Sequence, residues 1–451
     1  MCVWVWDKNL NICRIPYRNF NILASELQLF KRELYSGAVL VLAAVQFIES
    51  VAFGIPLSYF PNYVVGLGAT VASIGLFTSS FMLASAIMST KFGSFADTYG
   101  RKKVMLLGLV GDVIFGILTG LAPSWLWLLV IRLINGAVSG AAMLAAEALL
   151  IDTVSPSRRG EASGFVMSMG MIGRTIGPLF GGTIQWASVS YGLSILDSYR
   201  VPYFVDSIMA VLALLLVLWK IQESKPDKSQ TVRTSDASPS SKVPISPSFK
   251  VLLIYSFMTG MGVGFIMPIM ALFYSDKFGI EPIEIGLILS ISGFIGVTAS
   301  WIAGRLSDRA GRKPFIAAGN FTARLSDIAL PLTGNVTQAA SVASIRSIGF
   351  DVGMPALRAL RADITPLKAR GRYFGMFHAA FTAGDIIAPI VSTNLYDVYR
   401  STYFEIGGLV LPGYGIPFFV NSILGITATI MLLALVEEPS RRNAHSDSSA
   451  A

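Results

Sequence analysis

Two related stretches of this sequence decide its fold. The first is Gly93-Ser94-Phe95-Ala96-Asp97-Thr98-Tyr99-Gly100-Arg101-Lys102-Lys103. The second, Gly304-Arg305-Leu306-Ser307-Asp308-Arg309-Ala310-Gly311-Arg312-Lys313, repeats the same Asp, Gly, Arg and Lys at an offset of 211 residues. Each stretch lies between two apolar runs long enough to be membrane helices. The repeat therefore predicts that the chain consists of two related halves.

The repeat continues in register outside these two stretches. The same offset relates Ile74-Gly75-Leu76 to Ile285-Gly286-Leu287, Asp152 to Asp363, Arg159-Gly160 to Arg370-Gly371, and Pro178 to Pro389. Residues 202–208 match residues 417–423 at an offset of 215, so one connection in the second half is longer. A single match would be chance, whereas six matches in register indicate a duplicated unit.

The composition indicates an integral membrane protein. Of the 451 residues, 53% are hydrophobic and 14% are charged, whereas a soluble domain usually has about 25% charged residues. A charge placed in hydrocarbon costs about 2.5–3.5 kcal/mol even on the mildest scale, which explains the deficit. A net charge of +8 would suggest nucleic acid in a soluble protein, but we expect no nucleic-acid partner here.

The sequence indicates neither a cofactor nor enzymatic chemistry. Cys2 and Cys13 both lie near the N-terminus and have neither metal-ligand nor disulfide-scaffold spacing. Neither a P-loop nor a Rossmann glycine pattern occurs. We therefore predict no metal site, no cofactor, no enzymatic activity and no ATP-driven pump within this chain.

Twelve segments of about 20 mostly apolar residues predict an all-α fold with twelve transmembrane helices in two pseudo-symmetric six-helix bundles. The first six lie near 37–60, 70–92, 104–121, 126–150, 161–186 and 203–220, giving an N-terminal bundle over 37–220. The second six lie near 251–275, 283–303, 314–332, 338–362, 373–395 and 415–436, giving a C-terminal bundle over 249–437. A tail over 1–36, a Ser-, Pro-, Lys- and Asp-rich linker over 221–248 and a tail over 438–451 complete the predicted organisation.

The positions of lysine and arginine predict the orientation in the membrane. The tails, the linker and the connections on their side hold 26 of the 35 Lys and Arg residues, whereas the opposite side has only Arg200, Lys277 and Arg400. By the positive-inside rule, both termini and the linker are expected in the cytoplasm. We expect a multi-pass monomer in the lipid bilayer of the plasma membrane.

The two opening stretches resemble the signature motif of the major facilitator superfamily. The resemblance implies two parallel six-helix bundles with a substrate site between them, and transport by alternating access. It also implies a gating cluster that holds the two halves in the outward-closed state and breaks during the cycle; a plain basic loop that sets topology is the alternative. Arg101 is placed to reach Asp152, and Arg312 to reach Asp363. The predicted gating residues are Gly93, Asp97, Gly100, Arg101, Asp152, Gly304, Asp308, Gly311, Arg312 and Asp363.

The fifth span contains Gly173-Arg174-Thr175-Ile176-Gly177-Pro178-Leu179-Phe180-Gly181-Gly182. Its glycines form a stripe suited to close helix packing, and Pro178 predicts a kink. This stretch resembles a motif of the drug:proton antiporter (12-helix multidrug efflux) branch of the superfamily, from which Arg174 is a departure. The residues that carry this resemblance are Gly173, Gly177, Pro178, Gly181 and Gly182. The second half retains only part of the motif, which favours export; packing alone is the alternative.

Ionisable residues within the spans are candidates for proton and substrate binding. Glu49 in the first span is the leading candidate, followed by Glu147 in the fourth. Glu147 shares a helix face with Arg132, which predicts either a proton-coupling pair or a static ion pair. The full set of proton and substrate candidates is Glu49, Arg132, Glu147, Arg346, Asp351 and Arg358.

Five further polar residues lie within the spans. Arg324 and Asp327 are three positions apart on one span and are predicted to pair with each other. Asp112, Asp206 and Asn421 lie on spans that are usually peripheral in the superfamily, so we expect them to support the fold.

Three functional hypotheses follow. The leading one is a secondary active transporter that exports small, partly apolar, drug-like compounds in exchange for protons. The alternative is a carrier of an anionic metabolite, an organic anion or organophosphate, held by cavity arginines that grip carboxylate or phosphate in a fork. The third is a non-transporting membrane sensor with the same fold, against which both intact motifs argue.

Overall fold

A computed structural model of the protein describes residues 37–155, 158–223, 246–366 and 370–437, without the side chains of residues 90–98, 141, 308, 309, 406 and 409. The two predicted tails and most of the predicted linker lie outside the described residues. The described chain contains twelve long helices, six in each half.

The first half consists of helices α1 to α6. A 3-10 turn (Ile55–Ser58) and a short helix (Phe60–Gly66) follow α1 and carry the chain toward α2. The six helices are α1 (Gly37–Gly54), α2 (Ile74–Tyr99), α3 (Arg101–Gly120), α4 (Trp125–Thr153), α5 (Arg159–Ser190) and α6 (Val201–Lys220).

The second half consists of helices α7 to α12. Its first helix has two parts, Pro247–Ile266 and Met270–Phe278, and we call both together α7. The other five are α8 (Pro282–Ala310), α9 (Arg312–Ala329), α10 (Val336–Ile364), α11 (Arg370–Tyr399) and α12 (Ile416–Leu435). A hairpin of β1 (Tyr403–Ile406) and β2 (Leu409–Pro412) lies between α11 and α12, and it accounts for the longer connection in the second half.

Nine of the twelve helices have both the length and the hydropathy needed to cross a membrane. The three others, α5, α9 and α10, are long enough but carry glycines and charged residues. Charged residues in membrane helices almost always face the interior of the bundle. These three less apolar helices are therefore expected to bring charged residues into the interior of their bundles.

The connection predicted between the second and third spans, residues 93–103, is shorter in the structure. Helix α2 continues through this stretch to Tyr99, and α3 begins at Arg101, so the connection is Gly100 alone. The same holds for Gly311 between α8 and α9. The φ angles of these glycines are +105° and +99°, in a region that L side chains rarely adopt, so only glycine makes this turn without strain.

Within the first half, the glycine stripe packs α5 against α1. A Cβ at Gly173 would lie 2.5 Å from the Phe47 carbonyl oxygen, and a Cβ at Gly177 would lie 2.5 Å from Gly54 Cα. A Cβ at Gly181 would collide with the Ile55 carbonyl. The packing predicted for the stripe is therefore present, and it brings the two helix backbones into contact.

The two halves meet along two seams, one between α5 and α8 and one between α2 and α11. A Cβ at Gly286 would collide with the Pro178 carbonyl, and a Cβ at Gly75 would collide with the Pro389 carbonyl. Gly286 and Gly75 are equivalent positions in the sequence repeat, and so are the two prolines. The two seams therefore contain equivalent glycine–proline contacts.

Both seams lie toward one end of the helices. We call the end that holds residues 37 and 437 the terminal end, and the opposite end the distal end. A cluster of buried apolar residues from both halves, including Tyr63 and Phe273, fills the distal end. Toward the terminal end each half has its own apolar cluster, one around Leu149 and one around Leu357. In this conformation the distal end is thus closed by contacts between the halves.

The glycine stripe provides a stability test. We expect Gly177→Ala to lower the thermal unfolding temperature of the purified protein in detergent, because overpacking of this kind costs about 1–3 kcal/mol. Gly164→Ala, on the same helix, is the matched control, since its Cβ would meet no atom within 4 Å. Equal unfolding temperatures for the two variants would contradict the assigned contact.

Candidate functional site

Three carboxyl groups come together inside the first half. Glu49 on α1 lies within side-chain hydrogen-bonding reach of Asp112 on α3, and Asp206 on α6 is close enough to interact with both. The Ser139 hydroxyl of α4 lies 3.0 Å from Asp112 Oδ1. Glu49 Oε1 is buried and has no hydrogen-bond partner among the described residues. We call Glu49, Asp112 and Asp206 the carboxyl cluster.

The carboxyl cluster changes the interpretation of two predicted structural residues. Asp112 and Asp206 were expected to support the fold from peripheral helices, yet the structure brings both to Glu49, the leading proton candidate. The sequence signal for this site was the presence of acidic residues inside apolar spans. The sequence did not show that α1, α3 and α6 bring these residues together.

The predicted pairing of Arg132 with Glu147 is wrong. Fifteen residues of helix span about 22 Å, so two residues on the same face at this separation cannot touch. Glu147 is exposed. Arg132 instead lies over the Phe60 ring, with its guanidinium carbon 4.7 Å from the ring centroid, and close to Tyr203 and Asp206.

A second polar network lies inside the second half, around Asp327 of α9. The Asp327 side chain is fully buried and accepts hydrogen bonds from Arg324 at 3.1 Å and from Arg346 Nε at 2.5 Å. Asn421 Nδ2 donates to it at 2.9 Å. Arg324 pairs with Asp327 as expected, whereas Arg346, a substrate candidate, is also engaged by this carboxylate.

The polar networks of the two halves differ in charge. In the first half, three carboxyl groups lie close together, and the Arg132 guanidinium is near one of them, Asp206. In the second half, one carboxylate accepts from two guanidinium groups. Asp206 and Asn421 occupy equivalent positions in the repeat, so the difference is built into matching sites. At these matching sites the first half therefore has carboxyl groups in excess, whereas the Asp327 carboxylate of the second half is engaged by two arginines.

A third group of charges lies between the halves. Arg174 on α5 lies over the Phe53 ring, with its guanidinium carbon 4.7 Å from the ring centroid. Its charge interacts with Asp351 on α10 and Asp385 on α11, both in the second half. The side chain of Arg174 is accessible to solvent even though it lies at the meeting point of the two halves. Asp385 was not among the predicted site residues.

The remaining arginine candidate, Arg358, is exposed on α10. Its Nη1 contacts Met167 Sδ of α5 at 3.4 Å, across the gap between the halves. Among the described residues it forms no ion pair with a carboxylate. Arg361, one turn further, donates to Ser256 Oγ at 2.8 Å and lies over the Phe377 ring.

The gating motif forms ion pairs within each half. Arg101 pairs with Asp152, and Arg312 Nε lies 2.6 Å from Asp363 Oδ2. These pairs join α3 to α4 and α9 to α10, so in this conformation neither of them ties one half to the other. Both pairings expected from the sequence are therefore present, and the gating role of the cluster stays a prediction. The side chains of Asp97 and Asp308, like the surroundings of Gly93, lie outside the described residues.

The motif also has a partner that the sequence pattern missed. The Glu223 carboxylate accepts a hydrogen bond of 3.0 Å from the Lys102 backbone N–H, at the N-terminus of α3. A carboxylate is favoured there because the helix dipole places partial positive charge at that end. Gly100 accommodates this contact, since a Cβ on it would lie 2.7 Å from the Glu223 carboxyl group. Gly304 has more room, with Pro355 Cβ 3.7 Å away.

The chain belongs to the major facilitator superfamily. The family profile matches residues 42–255 and 252–450, one match for each half. The protein is therefore a multi-pass membrane transporter of small-molecule substrates and not an enzyme, which confirms the predicted fold and class.

Three relatives are similar over most of the chain. Multidrug resistance protein 2 of Bacillus subtilis is 24% identical over 383 residues, which are 82% of this chain and 92% of that protein. The multi-drug resistance efflux pump PmrA of Streptococcus pneumoniae is 26% identical and covers 77% and 86%. Multidrug resistance protein MdtG of Salmonella choleraesuis is 26% identical and covers 81% and 90%.

Solved structures share the fold at low sequence identity. A bacterial homolog of the human lysosomal transporter Spinster, in an inward-facing and occupied conformation, superposes with a TM-score of 0.72 at 15% identity over 94% of this chain and 98% of that one. A D-xylose-proton symporter has a TM-score of 0.70 at 17% identity over 90% and 98%. At these identities the likeness concerns the fold alone.

The Asp327 network provides a second stability test. We expect Asp327→Ala to destabilise the protein by about 3–5 kcal/mol, because it leaves Arg324 and Arg346 without their buried partner. Asp197→Ala removes an exposed partner of Arg200 and should cost no more than about 1 kcal/mol. Denaturant titration of both variants in detergent would measure the difference. A similar loss for both would contradict the central role of Asp327.

Proposed function

We propose that the protein exports small, partly apolar compounds in exchange for protons, with the carboxyl cluster of Glu49, Asp112 and Asp206 as the proton site. The carboxyl cluster is the observation that carries the proposal. The relatives named multidrug resistance proteins and efflux pumps support the substrate class and the direction.

The lack of a hydrogen-bond donor between Glu49 and Asp112 supports proton binding at the carboxyl cluster. An ionised carboxyl group can only accept hydrogen bonds, so two such groups within bonding reach of each other need one proton between them. Ser139 has a single hydroxyl proton, and its oxygen lies close to both Asp112 and Asn135. It therefore cannot provide the hydrogen between Glu49 and Asp112. A proton bound by the carboxyl cluster fills this position.

The closed distal end supports a transport cycle. With the orientation predicted from the Lys and Arg distribution, the distal end faces outward and the described conformation opens to the cytoplasm. A substrate could then enter from the cytoplasm, and separation of the two seams would release it outside. Protons arriving from outside would bind the carboxyl cluster in the outward-open state.

The proton site is tested by substitution. In proteoliposomes with an imposed pH gradient, we expect Glu49→Gln to reduce gradient-driven accumulation of an apolar dye about tenfold, equivalent to about 1.4 kcal/mol of coupling. Downhill movement of the dye should persist, since the path between the halves is unchanged. Glu405→Gln, in the distal hairpin, is the control and should behave as wild type. Retained gradient dependence in Glu49→Gln would overturn the assignment.

The carrier of an anionic metabolite is the second candidate, and exposed Arg358 is the observation in its favour. Arg346 contributes less to this hypothesis, because Asp327 engages its guanidinium. If the substrate is an anion, Arg358→Ala should abolish its uptake and leave transport of a cationic dye unchanged. Loss of dye transport with unchanged anion uptake would exclude the anion hypothesis.

A further inference from the structure

Glu147 on α4 and Arg358 on α10 occupy equivalent positions in the sequence repeat, 211 residues apart. Along these two helices, this is the only pair of equivalent positions with opposite charges. Both side chains are exposed, and among the described residues neither takes part in an ion pair. Since charged residues within membrane helices usually pair with one another, each of the two is expected to have a partner in some state of the transporter.

The one polar contact of Arg358 within the described part of the chain shows which way its position faces. Its Nη1 lies 3.4 Å from Met167 Sδ of α5, so the side chain points out of the second half and into the gap between the halves. Because the two halves have the same helix arrangement, Glu147 faces this gap from the first half. Helix α4 adjoins α5 at the terminal end, where Arg159 Nε donates to the Ile151 carbonyl at 3.1 Å. Arg358 thus reaches the helix next to the one that carries Glu147.

Contacts at the distal end show how equivalent helices meet. The two seams pair α5 with α8 and α2 with α11, as a two-fold relation between the halves requires. Between the seams, Asn62 Nδ2 of the short helix after α1 donates to Ser275 Oγ of α7 at 3.0 Å. The equivalent of Ser275 is Val64, two positions from Asn62, so nearly equivalent residues come together there. By the same relation, closure of the terminal end brings equivalent gap-facing residues of α4 and α10 opposite each other.

We propose that Glu147 and Arg358 form an ion pair that closes the terminal end when the distal end is open. Met143 and Met354 are also equivalent and lie one turn before the two charged residues, on the same faces of α4 and α10. These methionines pack beside the ion pair, and the four side chains replace the distal seams as the contact between the halves. The proposal rests on transport by alternating access, but neither on proton coupling nor on the identity of the substrate.

This assignment gives the two residues a role in the conformational cycle and not in substrate binding. In the described conformation both charged groups are exposed in the gap. Closure of the terminal end removes water from them, and the charge-assisted hydrogen bonds between guanidinium and carboxylate offset that loss. A like charge at either position therefore opposes closure, whereas an exchange of the two charges preserves it.

Charge exchange tests the pairing in proteoliposomes through which an apolar dye moves down its concentration gradient. We expect Glu147→Arg and Arg358→Glu each to lower the rate of dye movement about fivefold, equivalent to about 1 kcal/mol, because two like charges meet at closure. The two substitutions combined should restore the wild-type rate. Glu405→Arg, in the distal hairpin, is the control and should move the dye as wild type does.

Two results would contradict the pairing. One is a combined variant that moves the dye no faster than the single variants. The other is unchanged dye movement in Arg358→Glu, which is the result expected if Arg358 only binds an anionic substrate.

Disulfide formation tests the same contact without any transport. The full-length protein with Glu147→Cys and Arg358→Cys, and with Cys2→Ser and Cys13→Ser, should form an intramolecular disulfide on oxidation. Two cysteines can be bridged only when their Cα atoms come within about 7 Å of each other, and the bridge also captures a conformation that is rarely populated. We expect this disulfide to stop dye movement until it is reduced. Absence of the disulfide would overturn the proposal.

Ala145→Cys with Ala356→Cys, in the same background, is the matched control. These alanines are also equivalent and lie two residues before the charged pair, but each is buried in the apolar cluster of its own half. No disulfide is expected between them, and its formation would show that cross-linking does not report the proposed contact. Because the cross-link requires neither a substrate nor a pH gradient, failure of the proposed export function and failure of this inference are distinguishable.

Discussion

Contact between glycine and proline backbones across the two seams holds the described conformation together. In lipid, apolar side chains gain little by leaving the bilayer, so helices associate through close packing and hydrogen bonds. Gly286 against Pro178, and Gly75 against Pro389, allow the backbones to approach. The Leu179 N–H of α5 then donates to Ser290 Oγ at 3.2 Å, and the Gly75 N–H donates to Thr393 Oγ1 at 3.2 Å. Because the duplicated sequence provides the contact twice, the distal closure has two equivalent sides.

The duplication explains why the two halves have the same helix arrangement, but their buried charged residues differ. Asp206 and Asn421 are equivalent in the repeat, and Arg324 lies one position beyond the equivalent of Asp112. At matching depths the first half therefore has a surplus of carboxyl groups and the second half a carboxylate enclosed by two arginines. A satisfied ion network inside a membrane is rigid and costly to disturb. A surplus of carboxyl groups can instead exchange protons, so the two halves are suited to different tasks.

Helix α5 makes close contacts with two other helices and also carries a charged residue between those contacts. Its glycines bring it against α1, Pro178 brings it against α8, and Arg174 lies between these contacts. Arg174 lowers the hydropathy of α5 together with Arg159 and Glu161, which lie in the first turn of the helix. Helix α5 therefore contributes both the closest backbone contact with α8 and a guanidinium beside that contact.

The amino-acid sequence was sufficient to predict the two halves, the twelve spans and the pairing of Arg324 with Asp327. These features follow from hydropathy, a fixed offset and a spacing of three residues, all of which are local or periodic. Helix packing was needed to show that α2 extends to Tyr99, that Arg132 lies far from Glu147, and that Glu49 lies beside Asp112 and Asp206. A helical pattern gives the face on which a residue lies, but not the neighbour opposite that face. That neighbour depends on how twelve helices pack, because a charge in a membrane takes its partner from whichever helix comes close.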